Sequence, residues 1–561
     1  MEESDLNQNG IDLNAAEAIV KGLRREEVKH IFCVPGESYL PVLNALYDEQ
    51  DIQVISGRHE GGIAFMAEGY AKATKKPGIV MATRGVGASN LSIGVHTAHQ
   101  DSTPMVVLLG QVSTKFRGRE GFQEVDLESF FRPISKWAVE ITDVLRIPEI
   151  LAKAFRVAKT GRPGPVVISL PEDILYEQGE FTFRAPVSIP RPAPSIKEIS
   201  MFQHFLQIAK KPLIIAGGGI RFSGAEDALL EFAESFQIPV MTAFRRHDVF
   251  PNNNDLYLGH LGLGITSEIR EAVDEADVIF AFGTRLSEIT TQDYSIITDE
   301  KRLVHIDISF ETIGNIYSPD LGIVADIKEA LLALKTINID EVKGSGDFIW
   351  KEWAENRYTK QKESIKQLYQ KQDIQSKIIG YLQQQLNHEF IITNDAGNFA
   401  GWLHTYFQFN HKNSYIGPTS GAMGYGVPSA IGAAIASPHK TVIALSGDGG
   451  FMMTAQELET AVRYKVGMLS LVFNNQMYGT IRMHQEIHYP KKVIATDLGN
   501  ISFKSYIQSL GGKGYQVTSF QEFEHVYPIA LEHAKHAPVV IEILTDREQI
   551  SVSKKINDFH T

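Results

Sequence analysis

The chain of 561 residues contains one cysteine, Cys33, which excludes an internal disulfide and any cysteine-rich zinc site. It has no apolar run approaching the ~18 uninterrupted residues of a membrane span. It also has no excess of basic residues: 54 Lys and Arg stand against 67 Asp and Glu, a net charge of −13. Without a basic domain or stripe there is no footprint for nucleic acid. The first ten residues, MEESDLNQNG, are acidic and polar, unlike a signal or Arg-rich transit peptide, so a cytoplasmic location is expected. What is present is 43% apolar and 22% charged residues, the balance of a globular protein. At about 150 residues per domain, the length implies three or four domains. Cys33 lies in the run His30-Ile31-Phe32-Cys33-Val34 and reads as core filler.

Proline is concentrated in residues 184–195, RAPVSIPRPAPS, an extended linker by composition. Residues 338–368 are dominated by charged and polar side chains and read as a second connection. The cuts give domains at about 10–180, 195–340 and 370–550. Each alternates short β-branched runs with helical patterns, which predicts an α/β protein of three doubly wound parallel-sheet domains. Their similar size suggests one architecture used three times.

Residues 441–475 are the most informative. A strand pattern ends in Ser446-Gly447-Asp448-Gly449-Gly450, a helical stretch carries Leu458, Ala461, Val462 and Val466 on one face, and a second strand pattern ends at Asn474-Asn475. A right-handed crossover brings both strand ends to one sheet edge, where the oxygens of Asp448 and Asn475 can converge. A carboxylate and an amide oxygen are hard ligands suited to Mg²⁺. Gly447, Gly449 and Gly450 admit phosphate close to the backbone, at a helix N-terminus that favours negative charge.

GDG followed by NN across one helix resembles the diphosphate-binding signature of thiamine diphosphate enzymes. The resemblance implies that Asp448, Asn475 and the backbone carbonyl of Met477 ligate Mg²⁺, with Tyr478 and Gly479 beside them. It implies that Gly397, Asn398 and Phe399 belong to a second diphosphate loop. The resemblance also makes Met423, in the segment of Gly421, the side chain that props the cofactor in its bent form. In the first domain Arg58-His59-Glu60 opens a helix, and GVGASN (residues 85–90), DSTP (101–104), GQV (110–112) and Phe122-Gln123-Glu124 follow. That series resembles the pyrimidine domain of acetolactate synthase. The resemblance makes Glu60 the carboxylate beside pyrimidine N1′, with Gly85, Asn90 and Gln123 in the same site, and implies a homodimer or homotetramer sharing cofactor between chains. The implied activity is decarboxylation of a 2-oxo acid such as pyruvate and transfer of its acyl unit to a carbonyl acceptor.

This chain departs from acetolactate synthase at several points. Glu172 stands where the biosynthetic enzymes have Lys. Arg285-Leu286-Ser287-Glu288-Ile289 replaces their RFDDR, and His484 replaces the Trp that selects acceptor size. These changes argue against FAD, although Gly217-Gly218-Gly219 and His305-Ile306-Asp307 fit a nucleotide turn. Glu37 replaces a small residue and is a candidate second proton-transfer group, while His96 and His99 lie on a neighbouring helix. Two alternatives stay open: a non-oxidative 2-oxo acid decarboxylase releasing an aldehyde, and a catalytically silent cofactor-binding subunit, against which Glu60, Asp448 and Asn475 together speak.

Overall fold

Val106, Val107 and Leu108, like Val166, Val167 and Ile168, are fully buried, so these runs have no solvent face. Continuous apolar runs suit strands of a parallel sheet covered by helices on both sides. In the computed structural model, which describes residues 10–344, 346–370 and 373–559, they join the first of three six-stranded sheets. Its order is Gln53–Ser56, His30–Cys33, Gly78–Thr83, Met105–Gln111, Pro165–Pro171 and Trp137–Glu140, parallel throughout. The C-terminal sheet repeats this order: Tyr415–Ile416, Phe390–Asn394, Thr441–Gly447, Met468–Asn474, Pro538–Leu544, Lys513–Val517. Numbered by sequence, both outer sheets read 2-1-3-4-6-5.

The middle sheet is parallel as well, but its order is 3-2-1-4-5-6, with Pro212–Ala216 and Val278–Phe282 at its centre. One architecture is therefore used twice, with a differently wound sheet between. In each sheet the winding direction changes beside strand 1, leaving a crevice beyond the carboxyl ends of that strand and its neighbour on the other side. In the first sheet the loops leaving Cys33 and Thr83 flank it; in the third, those leaving Asn394 and Gly447 do.

Several local expectations are corrected. Residues 85–90, whose glycines suggest a turn by composition, lie in the helix Arg84–Asp101, which begins directly after the strand. Its glycines serve close packing: a β-carbon on Gly94 would lie 2.2 Å from that of Ala64. The stretch 338–368 is largely the helix Lys351–Tyr369, held to the middle domain where Arg357 pairs with Glu271 and Glu275. The helix after Asp448 is two pieces, Asp448–Thr454 and Glu457–Arg463, so Val466 lies beyond its end. Residues 184–195 carry no regular structure, as their prolines require, and Cys33 is buried, which pushes its thiol up to about 12. Among the described residues no helix is long and apolar enough to cross a membrane.

The first and third domains meet through two helices, Glu60–Thr74 and Gly426–Ala436, whose backbones touch. A β-carbon on Gly432 would lie 1.9 Å from the carbonyl oxygen of Met66, and one on Gly69 would lie 2.3 Å from that of Ser429. Glycine at both positions is what permits the crossing. The helix so fixed begins at Glu60.

Candidate active site

Strand Gln53–Ser56 ends on the same side of the sheet, one strand away from the first crevice, and His59 caps the helix that follows: its Nδ1 accepts the Gly61 N–H at 3.0 Å. This cap sets Glu60 in the first turn, where a carboxylate complements the helix dipole. Glu60 Oε2 accepts from Asn90 Nδ2 at 2.9 Å, and a β-carbon on Gly87 would sit 3.3 Å from Oε1. Gly85 donates its N–H to the Gln123 carbonyl at 3.0 Å, while Gln123 itself adopts a left-handed φ of 65°. Glu37 follows the neighbouring strand and pairs with Arg84 at 3.0 Å. Glu60, Asn90, Gly85, Gln123 and Glu37 are thus gathered at one sheet edge. His99 on the same helix is held down to about 4 by burial and by Arg162 and Arg285.

The C-terminal crevice gathers the other set. Asp448 opens its helix almost fully buried, and burial pushes its carboxyl up to about 6 against the amides of Gly449, Gln476 and Met477. Asn475 Oδ1 accepts the same Met477 N–H at 3.2 Å, so the two side chains converge as their strand ends imply. Asp395, fully buried, is likewise pushed up to about 6 by burial; among the described residues its Oδ2 and the Ser446 hydroxyl have no partner. The glycines keep this space open: β-carbons on Gly449 and Gly450 would lie 2.7 Å from the Tyr478 ring and 2.8 Å from Asp395 Oδ2. One on Gly447 would lie 3.2 Å from the Phe399 ring, which stacks on Phe473. Asn398 accepts from Thr480 at 2.9 Å and donates to the Ile550 carbonyl at 2.8 Å, tying its loop to the segment around Gly479. Met423 is partly buried between Gly421 and Gly424, whose φ values of 69° and 79° shape the loop. Among the described residues no three His, Cys, Asp or Glu side chains form a metal cluster. A cation here would rest on Asp448 together with amide and carbonyl oxygens.

Three family models match the chain: the N-terminal TPP binding domain of thiamine pyrophosphate enzymes over residues 13–130, their central domain over 199–334 and their C-terminal TPP binding domain over 395–543. A probable acetolactate synthase large subunit of Methanocaldococcus jannaschii is 35% identical over 95% of this chain and 92% of its own. The acetolactate synthase large subunit of Lactococcus lactis is 34% identical over 85% of this chain and 84% of its own. The isozyme 3 large subunit of Escherichia coli is 31% identical over 95% of each. The chain belongs to the acetolactate synthase-like thiamine diphosphate enzymes. Its two outer domains are the family's two cofactor-binding domains, and each holds one of the two residue sets above.

Among the described residues no hydrogen bond or ion pair joins the Glu60 set to the Asp448 set of the same chain. One link between the two domains at this place is Glu457, nine positions after Asp448 and fully buried. Its carboxylate accepts the N–H groups of Arg58 at 3.1 Å and His59 at 2.9 Å, the two residues before Glu60. Sequence reasoning missed Glu457, because an acid inside an apolar helix pattern gives no sign of what it will meet. It also noted Glu172 without its partner: Glu172 pairs with Arg84 at 3.1 Å. In the middle domain, β-carbons on Gly217 and Gly219 would lie 2.3 Å and 2.6 Å from Gly283 atoms, and Arg246 Nε lies 2.9 Å from where one on Gly218 would be. That packing accounts for the three glycines without a nucleotide.

Proposed function

We propose that the chain decarboxylates a 2-oxo acid such as pyruvate and ligates the remaining acyl unit to a carbonyl acceptor, as a homodimer or larger assembly using Mg²⁺. The observation that carries this is the buried Asp448 carboxylate, raised by burial and lacking a cationic partner, beside Asn475 and a glycine-lined space. A hard divalent cation held by Asp448, Asn475 and the Met477 carbonyl relieves that burial and receives the diphosphate. Gly397, Asn398, Gly447, Gly449 and Gly450 would line the diphosphate, and Phe399, Met423 and Tyr478 would bound the cofactor's rings. When bound, thiamine diphosphate supplies the electron sink for the carbon that loses CO₂. Glu60 holds and returns a proton at its Oε atoms, and Asn90 fixes which oxygen faces inward. The Arg84–Glu37 pair ties one carboxylate oxygen of Glu37 to a guanidinium.

The separation of the two residue sets within one chain supports a site completed by a second copy. So do exposed apolar side chains beside each half: Val86 and Ile93 near Glu60, Met452 and Met453 near Asp448. Complementation tests the whole reading. Glu60→Gln and Asp448→Ala proteins, each inactive alone, are unfolded, mixed and refolded together, and pyruvate consumption is measured. Shared sites restore about one quarter of the wild-type activity, since half of random dimers carry one intact site. No recovery from two correctly refolded proteins refutes the shared site.

A further inference from the structure

Three charged side chains from different strand ends meet at the mouth of the Glu60 crevice. Arg84, 9% exposed, donates from Nη1 to Glu37 Oε1 at 3.0 Å and from Nη2 to Glu172 Oε2 at 3.1 Å. Glu37 follows strand His30–Cys33, Arg84 follows Gly78–Thr83, and Glu172 follows Pro165–Pro171. Arg84 has a φ of 40°, left-handed backbone that is strained for a non-glycine residue. Strain of this kind persists where the surroundings overdetermine it, and here they hold one guanidinium between two acids. Among the described residues its buried Nε has no partner, and the exposed Phe122 ring centre lies 6.0 Å from the guanidinium carbon.

The cluster adjoins the site. Ser38, next to Glu37, shares a 2.7 Å hydrogen bond with the hydroxyl of Thr83, next to Arg84. A β-carbon on Gly87 would touch both Thr83 Cγ2 at 3.5 Å and Glu60 Oε1 at 3.3 Å. Each outer nitrogen of Arg84 gives one N–H to a carboxylate. The side chains of Glu37 and Glu172 are 66% and 36% exposed, each with one carboxylate oxygen turned to Arg84 and one left over. The rim therefore carries one net negative charge and two hydrogen-bond acceptors.

We propose that Glu37 and Glu172, positioned by Arg84, select the acceptor, and that the acceptor is an uncharged aldehyde or ketone bearing a hydroxyl group rather than a second 2-oxo acid. Free carboxylate oxygens accept hydrogen bonds from hydroxyls and repel another carboxylate, so the rim discriminates by attraction and repulsion together. This rests on the carboligase reading above. The donor's C1–C2 bond breaks and CO₂ leaves; the electron pair left on C2 forms the new bond to the acceptor's carbonyl carbon. The acceptor oxygen takes one proton and becomes a hydroxyl, so the step is redox-neutral.

The holoenzyme is given pyruvate with equimolar glycolaldehyde, acetaldehyde and 2-oxobutyrate, with products read by mass spectrometry and CO₂ release in parallel. The glycolaldehyde product is expected to exceed the 2-oxobutyrate product by ~10-fold at low salt, with acetaldehyde between them and the ratio shrinking as ionic strength rises. Glu172→Lys shifts the ratio toward 2-oxobutyrate, and Glu172→Gln shifts it part of the way. Arg84→Gln raises the KM for glycolaldehyde more than it lowers the rate of CO₂ release, and Arg84→Lys recovers part of that KM. CO₂ release with the same acceptor ratio in wild type and Glu172→Lys overturns the rim alone. Absence of CO₂ release from any 2-oxo acid overturns the carboligase reading and the rim with it.

Discussion

Gly432→Ala is the sharpest test of how the two cofactor-binding domains are locked together. The added β-carbon would lie 1.9 Å from the Met66 carbonyl oxygen, 2.8 Å from its carbon and 3.0 Å from the Tyr70 nitrogen. These are backbone atoms, so no side chain can swing aside. Restoring even 3.0 Å to that oxygen requires the helices to part by about 1.1 Å. Overpacking of this kind costs ~1–3 kcal/mol, and an unyielding backbone points to the upper end. Alanine returns ~1 kcal/mol through its better helix propensity, leaving a net loss of about 2 kcal/mol. Gly401→Ala is the matched control: it also lies in a helix, but its β-carbon would meet only Val552 Cγ2 at 3.4 Å. That variant should gain ~0.5–1 kcal/mol. The assay is the thermal midpoint of both proteins without cofactor, followed by turnover with saturating cofactor. Because the displaced helix carries Glu60 at its first position, Gly432→Ala should also lose turnover, up to ~100-fold for a 1 Å misplacement. A Gly432→Ala protein as stable as its parent would refute the backbone contact and, with it, the account of how Glu60 is held.

Asp448→Ala should lose Mg²⁺ and thiamine diphosphate on dialysis; unchanged cofactor content by metal analysis and fluorescence contradicts its role. Glu457→Ala leaves the Arg58 and His59 amides without acceptors, a loss of ~1–3 kcal/mol in thermal stability. Glu457→Gln, which keeps one acceptor, should recover most of kcat; equal kcat in both variants refutes a positioning role. His247 is buried and His260 and His404 half-buried between the middle and C-terminal domains, with ring centres of 4.5 Å and 4.4 Å from His247 to the other two. Burial lowers all three, His260 to about 4. A base with a depressed folded pKa stays neutral in the fold while the unfolded chain gains a proton, so stability holds above pH ~6.5 and falls as pH drops below it. The slope should reach ~1.4 kcal/mol per pH unit for each histidine, measured by denaturation between pH 7 and 5; a flat profile over that window rejects it.

Which parts of this molecule were legible in the sequence follows from how local their causes are. The central strands, such as Val278–Phe282 and Pro538–Leu544, stand out because burial on both faces leaves no polar alternation. Edge strands such as Lys513–Val517 and Tyr257–His260 do not, since one side meets solvent and the pattern is mixed. The antiparallel pair Ile11–Asn14 with Gln178–Phe181 joins ends more than 160 residues apart, and no local pattern announces it. The motifs were legible because each places its chemistry at the end of a strand, where a parallel sheet puts its crevice. Asp448 and Asn475 belong to that class, as does Glu60.

Arg84, Glu172 and Glu457 are of another kind. Each has meaning only through a partner contributed by a different strand end or a different domain, and spacing along the chain carries no trace of it. The same holds for Gly69 and Gly432, which read as unremarkable helix interruptions until the carbonyl oxygens facing them are known. Residues that contact the cofactor are constrained by chemistry shared across a family and so recur as motifs. Residues that aim those contacts, or decide which acceptor is admitted, are constrained by this fold's own distances. For that reason a change at Glu172 is expected to alter what the enzyme makes while every motif that identifies it stays intact.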